Sequence, residues 1–243
     1  MISIENLTKT YGTFEAVKDL NLNVPTGSVY AFLGPNGAGK TTTIRMLMGI
    51  LIPSSGRARI AGLDCIDDRI AVKRKVGYLP DSPVFYDFLR GFEILTFVGE
   101  MHGLPRKTAK LRAEDLIMKW GLNDAGDDFA VNYSMGMKKK LGLACAMIHE
   151  PEVLILDEPT NGLDPRTSRD VQERLKALAA SGHTIFLSTH LLDMVERICD
   201  QACIIDHGRL MGKGTLGEIR TLAESGGSLE DIFLTLTESE GAL

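Results

Sequence analysis

Gly34-Pro35-Asn36-Gly37-Ala38-Gly39-Lys40-Thr41 sets three glycines, a lysine and a hydroxyl within one eight-residue run. That set of residues fits phosphate binding. Glycines permit the tight turns that aim successive backbone N–H groups into one concavity. A helix beginning at Lys40 adds the positive end of its dipole. Lys40 then reaches the β- and γ-phosphates, the Thr41 hydroxyl ligates Mg²⁺, and Thr42 follows in the first helical turn. Further along, Val153-Leu154-Ile155-Leu156 is wholly apolar and ends in Asp157-Glu158. A carboxylate at Asp157 would hold Mg²⁺ through water, and one at Glu158 would orient and polarise an attacking water. Alone, such a pair could simply end a strand. With the glycine loop upstream it points to hydrolysis of a nucleoside triphosphate. No N-K-x-D run for reading guanine is present, so the expected nucleotide is ATP.

These groups must be carried by particular elements. Ser28–Leu33 is a short apolar run, as a buried strand before the loop requires, and Lys40–Gly49 has helical spacing, with Ile44, Leu47 and Met48 on one face. Met1–Leu7 and Leu20–Val24 alternate as strands, and Arg57–Ile60 adds another after the Pro53–Gly56 turn. From about Val84 to Glu150 the helical period dominates. Phe92, Leu95, Phe97 and Val98 form one expected stripe, and Leu111, Leu116, Ile117 and Trp120 another. Gly103-Leu104-Pro105 and the stretch 121–128 interrupt them. Alternation of strand and helix returns with Val153–Leu156, Arg166–Ala180, Thr184–Ser188, Leu191–Ile198 and Ala202–Ile205. Short buried strands alternating with helices imply a mostly parallel sheet covered on both faces.

Tyr133-Ser134-Met135-Gly136-Met137-Lys138-Lys139-Lys140-Leu141 precedes the Asp157-Glu158 strand. It resembles the signature sequence of the ABC transporter ATPases, L-S-G-G-Q in its common form. The resemblance extends along nearly the whole chain. Tyr11 stands where the family's aromatic residue stacks on adenine. Tyr78-Leu79-Pro80-Asp81 resembles the Q-loop region, Asn161-Gly162-Leu163-Asp164 the D-loop, and Thr189-His190 the switch histidine.

This resemblance implies an α/β P-loop NTPase (RecA-like) core with a mostly parallel sheet, an N-terminal antiparallel β region and an inserted α-helical subdomain. Residues 1–80 and 151–214 would form the core, 81–150 the helical subdomain, and 215–243 a short helical tail. Two such chains, as a homodimer or a heterodimer, would close head to tail around two ATP molecules. Ser134 and Gly136 of one would touch the γ-phosphate held by the other's loop, and His190 would contact the same phosphate. The cycle would drive an integral membrane permease on a separate chain, from a cytoplasmic position on the inner face of the membrane. The tail resembles that of exporter ATPases. Three positions depart from the family pattern. Asp81 stands where Gln or Glu is usual, shorter and charged, and would reach Mg²⁺ through water. Met135 replaces the first signature glycine, and either crowds the γ-phosphate or folds back into the helical subdomain. Met137 replaces the glutamine.

Composition sets outer limits. The 243 residues are 44% hydrophobic and 24% charged, with a net charge of −5, so no basic surplus marks a nucleic-acid partner. No apolar run approaches the roughly 18 residues of a membrane span, and the first residues do not read as a signal peptide. Cys65, Cys145, Cys199 and Cys203 lack C-x-x-C spacing. They read as small buried hydrophobes of a reducing compartment, in preference to a metal site with His190 or His207. Lys138–Lys140 reads as the solvated face of a helix more readily than as an interaction patch. Phe85, Tyr86, Phe88 and Phe92 fit core packing and a groove for a permease helix equally well. Two rival functions stay open: a soluble ABC ATPase acting on ribosomes or DNA, and a nucleotide-gated module that does not turn over. Against the first stand the single phosphate loop and the lack of a heptad run.

Overall fold

A computed structural model describes residues 1–126, 128–221 and 228–238. Segments 222–227 and 239–243 of the expected tail, and residue 127 of the expected 121–128 break, lie outside the described residues. In chain order the strands are β1 (Ile2–Tyr11), β2 (Phe14–Val24), β3 (Val29–Leu33), β4 (Ser55–Ile60), β5 (Leu63–Asp64), β6 (Val76–Leu79), β7 (Val153–Asp157), β8 (Thr184–Thr189), β9 (Gln201–Asp206) and β10 (Arg209–Thr215). The α-helices are α1 (Lys40–Leu47), α2 (Arg69–Lys75), α3 (Gly91–Met101), α4 (Arg106–Lys119), α5 (Met135–Met147), α6 (Pro165–Ala180), α7 (Leu192–Ile198), α8 (Leu216–Arg220) and α9 (Leu229–Glu238).

Two sheets are stacked. The larger runs β10-β9-β3-β8-β7-β6, all parallel except the edge strand β10. The smaller, β2-β1-β4-β5, is antiparallel. Side-chain alternation along the parallel strands divides the interior in two. Ala31 and Leu33 of β3, Leu154 and Leu156 of β7, and Ile185 and Leu187 of β8 join the core shared with the helices α3 to α7. Their neighbours Tyr30, Phe32, Ile155 and Phe186 face the other way, into the core shared with the antiparallel sheet and α1. Both faces of the sheet are therefore covered, which is why β3 and β7 read as unbroken apolar runs.

The helices α3, α4 and α5 lie in sequence between β6 and β7, which are adjacent strands. The chain thus leaves the sheet at its edge, builds the helical unit and returns beside the strand it left. Two expected stripe positions are corrected: Phe97 and Leu111 face outward, 42% and 59% exposed. Leu95, Leu116, Ile117 and Trp120 are buried, as the stripes require. Three strands escaped the sequence reading. β5 has two residues, β6 has four including Gly77, and β10 is a glycine-containing edge. Each is too short or too irregular for a period to register.

Cys65, Cys199 and Cys203 are buried and Cys145 half-buried, and all four are free thiols. Desolvation pushes the Cys65, Cys145 and Cys199 thiols up to about 12, so they are inert small apolar groups at neutral pH.

Candidate active site

The carboxyl ends of β3, β7 and β8, three adjacent strands, converge on one cleft of about 490 Å³. This is the usual place for a ligand on an open α/β sheet. β3 delivers the glycine loop, β7 delivers Asp157 and Glu158, and β8 delivers His190 just past its end.

The loop is built so that few side chains fit. A Cβ on Gly34 would lie 2.4 Å from the backbone oxygen of Ile205, and one on Gly39, at φ +104°, would lie 2.5 Å from that of Ala16. The loop is also tied to the β9–β10 turn, where Gly208 N donates to Ala38 O at 3.0 Å. Gly34→Ala is expected to force backbone out of place and destabilise the fold by about 1–3 kcal/mol. A fall in the thermal unfolding midpoint without nucleotide checks this.

Lys40 is buried and folds back over the loop. Its Nζ donates to Gly34 O at 2.7 Å and Pro35 O at 3.1 Å, and stands 3.5 Å from Glu158 Oε1. Thr41 Oγ1 donates to Asp157 Oδ2 at 2.9 Å. The other Asp157 oxygen accepts from the Ser188 hydroxyl, which leaves the carboxylate fixed between α1 and β8. Glu158 is buried, and its Oε1 also lies 3.0 Å from His190 Nδ1. A carboxylate only accepts, so this contact places an imidazole proton on Nδ1 and leaves Nε2 for another partner. Glu158 Oε2 is buried with no hydrogen-bond partner among the described residues. An unsatisfied buried carboxylate oxygen is costly unless something else occupies its lone pairs in the working state.

Of the sequence-predicted residues, Tyr11, Asn36, Gly37, Gly39, Lys40, Thr41, Thr42, Asp81, Asp157, Glu158 and His190 all line this cleft. Gly34, Pro35 and Ala38 form the back of the loop. Ser134 and Gly136 do not reach the cleft. Ser134 caps α5, its Oγ accepting from Met137 N at 3.2 Å, and is exposed. Met135, 61% exposed, lays its sulfur against Gly162, so its side chain lies along Asn161–Asp164 of its own chain, which is neither the γ-phosphate nor the helical subdomain expected for it.

Several cleft residues escaped the sequence reading. Phe14 and Ala16 line it beside Tyr11, and Asn161, noted only as part of the D-loop run, lines it beside Glu158. Ser188 sits one residue before the noted Thr189-His190, which was the signal available for it. The Lys138–Lys140 run is corrected. Lys139 is buried and Lys140 pairs with Asp170 at 3.0 Å, so the run is not a solvated face. A period of 3.6 cannot place three consecutive lysines on one side of a helix.

A family model described as "ABC transporter" matches residues 17–161. The chain belongs to the ABC transporter ATP-binding family. It is 41% identical over 220 residues to the daunorubicin/doxorubicin resistance ATP-binding protein DrrA of Streptomyces peucetius, covering 90% of this chain and 67% of that one. It is 40% identical over 212 residues to the bacitracin transport ATP-binding protein BcrA of Bacillus licheniformis, covering 87% and 68%. A solved ATP-binding subunit of an ABC transporter superposes with a TM-score of 0.88 at 34% identity, over 97% of this chain and 99% of that one. The α/β P-loop fold and ATPase class expected from the resemblance are therefore established. Among the described residues, no helix is long and apolar enough to cross a membrane.

Proposed function

We propose that this chain binds and hydrolyses ATP to drive transport by a separate membrane-spanning permease, as one of a pair of ATPase subunits on the cytoplasmic face of the membrane. The observation that carries this reading is the Glu158 carboxylate. It is buried beside the phosphate loop with Oε1 held by Lys40 and His190 and Oε2 unpaired among the described residues. That oxygen accepts a proton from water entering between Glu158 and the γ-phosphate.

In this reading Tyr11, with Phe14 beside it, stacks on adenine. The backbone of Gly34, Pro35, Asn36, Gly37, Ala38 and Gly39 cradles the phosphates, with Lys40, Thr41 and Thr42 at the start of α1. Lys40 exchanges the Gly34 and Pro35 carbonyls for phosphate oxygens, and His190 presents Nε2 to the γ-phosphate. The donor set also suits Mg²⁺: the Thr41 hydroxyl, the fixed Asp157 carboxylate, and Asp81 through water from the far wall. When bound, Mg²⁺ would offset the negative charge that builds up on the phosphate oxygens. Ser134 and Gly136 are remote from their own chain's cleft, which supports their acting on a second copy's γ-phosphate across a head-to-tail dimer. The dipole at the N-terminus of α5 favours anionic oxygen there.

Export is the favoured direction, because relatives named for drug resistance and bacitracin transport share about two-fifths of the sequence. No nucleic-acid role is proposed for an acidic chain. A decisive experiment is phosphate release by the purified chain, alone and with its permease. Turnover supports the reading, and tight ATP binding without any turnover, in both states, contradicts it.

The permease contact is proposed at the aromatic cleft lined by Phe85, Tyr86, Asp87, Phe88, Leu89 and Phe97. Phe85 and Phe92 pack against the core, whereas Tyr86 and Phe88 are 67% and 81% exposed. Exposed aromatics of this size are typical anchors in helix-in-groove contacts, worth about 2 kcal/mol or more each. Phe88→Ser is expected to weaken association with the permease about 30-fold by that measure, with ATP hydrolysis by the isolated subunit unchanged. Co-purification with the permease reads it, and intact association would rule the groove out.

A further inference from the structure

Lys139 projects from α5 and is buried. Its Nζ donates to the backbone oxygen of Glu158 at 2.6 Å. Asp81 Oδ1, just past the end of β6, lies 3.5 Å from the same ammonium. On its other side, Glu158 N donates to Ser188 O at 3.1 Å and Ser188 Oγ at 3.2 Å. Glu158 itself stands at φ +47°, in the left-handed region that non-glycine residues avoid. Such a backbone persists only where its surroundings fix it. Here β8 holds its N–H and α5 holds its C=O.

We infer that Lys139 is a positioning residue for hydrolysis: through the Glu158 carbonyl it locks the strained backbone that aims the Glu158 carboxylate, and Asp81 neutralises its buried charge. The acidic residue in the Q-loop region and the buried lysine in the signature helix are thereby one feature. Burial lowers the Lys139 pKa from its ordinary value, and the Asp81 carboxylate opposes that shift. Because α5 also begins at Ser134 and Gly136, the same contact joins the signature end to the hydrolytic carboxylate through one rigid helix. The inference rests on the reading of Glu158 as the group that activates water.

The test separates aim from binding. Lys139→Met removes the donor, and Lys139→Gln keeps an N–H able to reach the carbonyl. Displacement of a reacting group by about 1 Å costs on the order of 10²-fold in rate. Lys139→Met is therefore expected to lower kcat about 100-fold and Lys139→Gln less than about 10-fold, while both bind a fluorescent ATP analogue within about threefold of the parent chain. A Lys139→Met chain that keeps kcat within about twofold overturns the inference, as does a loss of analogue binding in proportion to kcat. Should Lys139→Met fail to fold, the neutral pairs decide. Asp81→Asn with Lys139→Gln should turn over at least about tenfold faster than Asp81→Asn with Lys139→Leu, and equal rates overturn the inference. Glu158→Gln in parallel distinguishes the two failures. If it turns over normally, the reading of Glu158 falls and the inference with it. If it is inactive while the lysine series is unaffected, only the inference falls.

Discussion

Glu158→Gln is expected to cut ATP turnover by about 10²–10⁴-fold while nucleotide binding stays within a few-fold of the parent chain. The substitution keeps the shape of the side chain. The amide oxygen still accepts from Lys40 and His190, which lie 3.5 and 3.0 Å from Glu158 Oε1. What disappears is the unpaired Oε2 as a proton acceptor, replaced by an NH₂ that can only donate. The fold should survive, since Lys40 keeps the Gly34 and Pro35 carbonyls and Lys139 keeps the Glu158 carbonyl. A side chain that only supported the loop would show the opposite pattern, with weakened binding and turnover falling in parallel. Single-turnover phosphate release, set beside analogue titration, distinguishes the two.

Lys40→Met should act on the other parameter. The Lys40 ammonium is the cation held inside the loop, and a hydrogen bond from a charged donor is worth about 1.5–3 kcal/mol. Its loss lowers ATP affinity by roughly 10–150-fold on that scale. Glu158, in addition, loses the buried cation at 3.5 Å and keeps His190 as its ionisable neighbour. Turnover should fall below detection at ATP concentrations that saturate the parent chain. The rise in unfolding midpoint that ATP gives the parent should shrink at the same concentrations, because the stabilisation depends on ligand over Kd. An unchanged midpoint rise would mean that the loop holds phosphates by backbone alone.

Much of the site was legible because its determinants are local. Gly34 to Thr41 carries its own turn chemistry, and the apolar run ending in Asp157-Glu158 marks a buried strand and its polar end. The flanking strand and helix were legible for the same reason. What could not be read is contact between distant segments. Ser188 touches Asp157 because β7 and β8 are neighbours, and no local period reports strand order. Lys139 reaches Glu158 and Asp81 from a helix inserted between two strands, so the sequence shows a basic run where the fold makes a buried tie. Phe97 and Leu111 fail for the converse reason. A spacing that suits a stripe does not say how wide the neighbouring element is, and both residues fall beyond its edge. Met135 illustrates a third limit: residue type suggested two destinations for its long side chain, and the contact with Gly162 is a third, made across segments distant in sequence.

Sharing of each ATP site between two copies of the chain is the claim on which the functional account turns. Mixing two inactive variants tests it most directly. Lys40→Met spoils only the phosphate loop, and Ser134→Arg spoils only the signature end. Each alone should be inactive, since every site in either dimer contains the damaged half. A mixed dimer contains one site with the intact loop of the second variant and the intact signature of the first. Phosphate release that appears on mixing, rising towards about half the parent rate per mixed dimer, is the predicted result. Ser134→Arg hydrolysing ATP normally by itself, or a mixture of properly folded chains that stays as inactive as its components, would contradict it.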